Sequence, residues 1–131
     1  MALTISILDE TPSGESIATR SIQVEHEATT LRDLIRQRIQ CEVEAFNQSE
    51  QDLFEGLVQP EESERILNGY KLKERRKLDW QKQYEKAIRS FERNGFLVIL
   101  DDRQISDLDE KLQLFPTSGV HFLKLTPLVG G

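Results

Sequence analysis

The first run of the chain, Leu3-Thr4-Ile5-Ser6-Ile7-Leu8, alternates apolar and polar residues. A period of two belongs to a strand and sets Leu3, Ile5 and Ile7 on one face. A loop of turn formers follows, Asp9-Glu10-Thr11-Pro12-Ser13-Gly14-Glu15-Ser16. Alternation resumes in Arg20-Ser21-Ile22-Gln23-Val24-Glu25, with Ile22 and Val24 inward. Two strands this close predict a β-hairpin with a long loop. The period then changes. Leu31, Leu34, Ile35, Ile39, Val43 and Phe46 form a helical stripe. Thr29 or Thr30 can cap it by accepting a first-turn N–H. Asp33, three residues after Thr30, resembles a capping box with a shorter acid. The stripe can be extended through Leu53, Phe54, Leu57 and Val58 to a stop at Pro60.

The middle of the chain reads as an all-helical insertion over about residues 49–94. Pro60 with Glu61-Glu62-Ser63-Glu64 fits a helix start, since proline suits the first turn and carboxylates suit the positive end of the dipole. Asn68-Gly69 then serves as a stop. A longer helix is predicted from about Lys71 to Arg93, with Leu78, Trp80 or Gln81, Tyr84, Ile88 and Phe91 as its stripe and Asn94-Gly95 as its end. That stripe predicts a seam between the inserted helices, or else a dock for a partner helix. Strands return at Phe96-Leu97-Val98-Ile99-Leu100, a continuous apolar run. Asp101-Asp102 is a turn and Arg103-Gln104-Ile105 a short return strand. Residues 106–115 are irregular and polar, anchored by Leu108, Leu112 and Leu114. Val120-His121-Phe122-Leu123-Lys124-Leu125 closes the chain's pattern as a strand. This order predicts an α+β fold, a mixed sheet packed on one helix with an inserted helical hairpin.

Length and charge narrow the reading. A chain of 131 residues with 37% hydrophobic content suits one compact domain, or one small domain plus an elaboration. A net charge of −6 argues against nucleic acid as a general partner. The basic run Lys71-Leu72-Lys73-Glu74-Arg75-Arg76-Lys77 departs from that average and reads as a solvated helix face. Cys41, the single cysteine, permits no internal disulfide and reads as a small core or boundary residue. His26 and His121 are not spaced as metal ligands, and no metal is expected. No apolar run approaches the ~20 residues of a membrane span. With no basic-then-apolar start, a cytoplasmic protein is the expectation.

The opening hairpin and helix, the run from Phe96 to Ile105, and Gly119-Val120-His121-Phe122-Leu123-Lys124 resemble the β-grasp family, ubiquitin and its sulfur-carrier relatives. The resemblance covers about residues 1–47 and 95–131. The ending Pro127-Leu128-Val129-Gly130-Gly131 is similar to that of the small subunit of molybdopterin synthase. The segment of about 49–94 has no counterpart in either branch. The resemblance implies a β-grasp sheet and a flexible tail over 126–131. It also implies a non-enzymatic carrier with no bound cofactor, whose Gly131 carboxylate is adenylated by an activating enzyme using ATP and magnesium. A conjugating enzyme, target proteins and a deconjugating protease are the further partners implied.

The tail has a physical rationale beside the resemblance. Gly130 and Gly131 let backbone enter a narrow channel. Pro127 limits the stem's freedom, so less entropy is lost on insertion. Leu128 and Val129 offer apolar docking groups. The competing reading is an ordinary terminus. In ubiquitin-like proteins the outward sheet face carries an apolar patch, which the resemblance places at Val98, His121 and Leu123. The alternative is that the insertion buries them as core. Three functions stay open: a protein modifier, a sulfur carrier bearing a thiocarboxylate, and a non-conjugated interaction module.

Overall fold

The computed structural model describes residues 3–11, 16–66 and 69–125. In chain order it contains β1 (Leu3–Glu10), β2 (Ser16–Val24), β3 (Ala28–Thr30), α1 (Leu31–Gln48), β4 (Leu53–Phe54), β5 (Ser63–Ile66), β6 (Gly69–Leu72), α2 (Trp80–Glu92), β7 (Phe96–Leu100), β8 (Arg103–Ile105), β9 (Lys111–Gln113) and β10 (Gly119–Lys124). The chain divides into two compact units, residues 1–34 with 90–131, and residues 35–89.

The first unit is built on a five-stranded sheet in the order β2-β1-β10-β7-β8. β1 and β10 pair in parallel, and the other neighbours are antiparallel. Period-two alternation sends Ile5, Ile7, Ile22, Val24, Val98, Val120 and Phe122 into the core. Leu31 and Leu34, in the first turns of α1, are buried in the same unit. The Phe96 and Phe122 rings stand 5.9 Å apart between centroids. β7 turns into β8 through Asp101 and Asp102, both at positive φ (48° and 69°), as a two-residue hairpin loop requires. Asp101 also accepts hydrogen bonds from Ser118 Oγ at 3.2 Å and Gly119 N–H at 3.3 Å, which ties this turn to the start of β10. The irregular 106–115 segment contains one strand, β9, paired with β3. Its expected anchors Leu108, Leu112 and Leu114 are buried.

Thr30 is the cap of α1. Its Oγ1 accepts the Asp33 N–H at 3.2 Å, while Thr29 Oγ1 donates to the Asp33 carboxylate at 3.0 Å. The helix ends at Gln48, before Leu53, and does not extend to Pro60. Its last turn holds no basic residue. Arg75 supplies that charge from elsewhere in the second unit, donating to the carbonyls of Phe46 (2.9 Å) and Ser49 (2.7 Å) with its guanidinium over the Phe46 ring.

The expectation of an all-helical insertion and helical hairpin is wrong. Leu53–Phe54, Ser63–Ile66 and Gly69–Leu72 form a three-stranded sheet in the order β4-β6-β5, and among the described residues of the segment after α1 the helix is α2. The Pro60 start fails because Glu62 sits at φ 54°, outside the helical region. Gly69 opens β6 rather than ending a helix, and Asn68 lies outside the described residues. The long helix starts at Trp80, not Lys71. Asp79 caps it, its carboxylate accepting the Gln81 N–H at 2.9 Å. The end was legible: Asn94 takes φ 61°, and the Gly95 N–H reaches the Ser90 carbonyl at 2.7 Å. The fully covered face of α2 is Gln83 and Ala87, beside the expected stripe of Trp80, Tyr84, Ile88 and Phe91, which is half-buried. The core of this second unit gathers Ile35, Ile39, Val43, Phe46, Phe54, Leu57, Leu72 and Leu78. Within it a buried pair, Arg38 and Glu42, lies 2.6 Å apart one turn along α1. Glu42 also accepts the Leu57 N–H at 3.1 Å, so the pair ties the helix to the chain beyond it.

Candidate functional site

The outward face of the five-stranded sheet is set by the register of its central strands. Phe122 stands opposite Val98, and both point inward. His121 stands opposite Ile99 and Leu123 opposite Leu97. On the other side of β10, Leu8 is level with His121 and Glu10 with Leu123. The outward cluster is therefore Leu8, Leu97, Ile99, His121 and Leu123, all half-buried.

This corrects one expected site residue. Val98 is 0% exposed and belongs to the core. The run from 96 to 100 is apolar throughout, so its own pattern does not tell the two faces apart. Pairing with β10 decides it, giving Phe96, Val98 and Leu100 inward and Leu97 and Ile99 outward. His121 and Leu123 lie on the outward face, as expected. Leu8, Leu97 and Ile99 were missed. The signal that finds Leu8 is the strand alternation of β1, since Ile5 and Ile7 face inward.

Glu10 completes the cluster. Its Oε1 is paired with His121 Nδ1, which fixes the imidazole over the sheet. The site thus has apolar contact area with one polar pair at its edge. Apolar groups that stay partly wet, with an oriented hydrogen-bonding group beside them, suit protein recognition.

The chain leaves the sheet at the same place. After β10, the Leu125 N–H donates to the Gly95 carbonyl at 3.1 Å. Leu123, the last member of the outward cluster, is two residues before this anchor. The expected tail, Pro127, Leu128, Val129, Gly130 and Gly131, lies outside the described residues.

Cys41 is exposed on α1, not in the core or at its boundary. Partial desolvation, with Glu44 and Glu42 adding repulsion, pushes its thiol above the usual range. A thiol shifted this way is a poorer nucleophile at neutral pH. Among the described residues no cluster of His, Cys, Asp or Glu is arranged to hold a metal ion. No helix among them is long and apolar enough to cross a membrane. No protein-family model, no curated protein and no solved structure matches the chain.

Proposed function

We propose that this protein is a ubiquitin-like protein modifier with a β-grasp sheet, acting through Gly131. The single observation that carries the reading is the position of β10. The last described strand lies at the centre of the sheet, parallel to β1, and brings the chain to Leu125, two residues after Leu123 of the outward apolar cluster. A β-grasp fold has this strand order, and a carrier needs this arrangement: a recognition surface at the base of a reactive tail. The opening step is attack of the Gly131 carboxylate on the α-phosphate of ATP. An acyl adenylate forms and pyrophosphate leaves. Attack by an enzyme thiol then gives a thioester and releases AMP. The partner enzyme supplies ATP, magnesium and catalysis. Gly130 permits close backbone approach, and Pro127, Leu128 and Val129 dock the stem. Gly131 serves whether the chain is encoded to end there or a protease exposes it.

Incubation with an adenylating enzyme, ATP, magnesium and labelled thiol tests the proposal. The intact chain should form an adduct with the enzyme's cysteine, and a chain lacking Gly131 should form none. Equal behaviour of the two chains would sink it. The Pro127-containing end favours a second reading, a sulfur carrier. Its product is a terminal thiocarboxylate, seen by mass spectrometry as one sulfur in place of one oxygen. A non-conjugated interaction module would instead keep its function without Gly130-Gly131 and lose it on changes at Ile99 or Leu123.

A further inference from the structure

Residues 71–89 carry eight Lys or Arg and three Asp or Glu in a chain whose net charge is −6. They do not form one solvated helix face. Lys71 and Leu72 end β6, the stretch from Lys73 to Asp79 is non-helical, and α2 begins at Trp80. This path folds five of the cations around a groove of about 320 Å³ in the second unit: Arg76, Lys77, Lys82, Lys86 and Arg89. Lys82, Lys86 and Arg89 are spaced four and three residues apart, which puts them on one side of α2. The buried side chains of Pro60 and Leu78 contribute apolar lining.

The walls are braced by hydrogen bonds. Arg76 donates to the Glu61 carbonyl and Lys86 to the Gln59 carbonyl. Gln83, buried beneath, donates to the Val58 carbonyl at 3.2 Å. Lys77, Lys82 and Arg89 have no ion pair with any described residue. Cations gathered in a concave site without partners raise the local concentration of a negative ligand against the charge of the whole chain.

We propose that this groove docks an acidic segment of a partner protein. Its carboxylates meet Lys77, Lys82 and Arg89, and an apolar side chain seats against Leu78 and Pro60. The lining argues against nucleic acid. It holds no aromatic side chain on which a base could stack. Glu61, Asp79 and Glu85 interrupt the five cations, which penalises an unbroken polyanion but tolerates spaced carboxylates. The proposal is independent of the tail, since it concerns a different surface.

Fluorescence anisotropy on the full chain tests it, with a short labelled peptide of Asp and Glu around a central Leu as the probe. The pair Lys82→Glu/Arg89→Glu should weaken binding about tenfold or more, whereas Lys71→Glu/Lys73→Glu, the same charge change outside the groove, should alter it less than about twofold. Circular dichroism checks that each variant is folded. If the reversal pair unfolds, Lys82→Gln/Arg89→Gln replaces it, with a loss of about threefold or more expected. Equal weakening by both pairs overturns the proposal, because attraction would then be diffuse. No binding of the probe overturns it too. Tighter binding of a single-stranded RNA oligonucleotide at the same salt would reassign the groove to nucleic acid.

Discussion

Val98 and Leu123 show how much a residue's role depends on its strand partner. Both lie in apolar or alternating runs, and the ubiquitin-like resemblance implies an outward face for both, with burial as core the alternative. The residue opposite Val98 is Phe122, fully buried, while the residue opposite Leu123 is Leu97, half-buried. One is a core group and the other lies half-exposed on the outward face. Removing two methyl groups from the enclosed Val98 forfeits their transfer energy and leaves a cavity. Val98→Ala should therefore lower unfolding free energy by about 2 kcal/mol. Leu123→Ala should cost under about 1 kcal/mol, because solvent already reaches the side chain. Urea denaturation of the two variants measures both. Near-equal losses would remove Leu123 from the outward face and return it to the core. His121 was legible from the alternation around it, but its partner Glu10 was not, since the two are joined only by parallel pairing across most of the chain.

Elements with a clear period were legible, and turn chemistry was legible where such a period flanked it. The hairpin of β1 and β2, the Thr30 cap and the Asn94-Gly95 stop all follow from local pattern. The segment from Pro60 to Leu72 misled because its acidic start and Asn68-Gly69 pair serve a helix boundary and a hairpin equally well. Local side-chain bonds favour the turn here: Ser63 Oγ donates to the Pro60 carbonyl at 2.6 Å, and Gln59 Nε2 donates to the Ser63 carbonyl at 3.0 Å. Gly69 is then needed for a different reason than helix termination. A Cβ there would stand 2.8 Å from the Phe54 carbonyl oxygen, across the pairing of β6 with β4, on a backbone at φ 154°. Gly69→Ala should destabilise the chain by about 2 kcal/mol, the scale of a forced backbone shift. Thermal melts give the sign. A neutral outcome would mean that β4 and β6 do not approach this closely.

At the scale of the whole chain, each long helix belongs to both units. The division falls inside α1, between Leu34 and Ile35, and inside α2, between Arg89 and Ser90. Charge is divided differently. Residues 35–89 hold eleven basic and eleven acidic side chains, so the net −6 resides in the unit that carries the sheet and the tail. None of this is readable from hydrophobic period, which predicts where a helix runs and not which core each of its turns joins. Separating the units would break the hydrogen-bonded ladder of a helix at two places, so the chain should unfold as one cooperative system. Trp80, the single tryptophan, lies in the second unit and Val98 in the first. Val98→Ala should therefore shift the urea midpoint seen by Trp80 fluorescence together with that seen by far-ultraviolet circular dichroism. If the fluorescence midpoint stays at the wild-type value while the dichroism midpoint falls, the units unfold separately. The basic groove would then belong to an autonomous module, separate from the unit built on the five-stranded sheet.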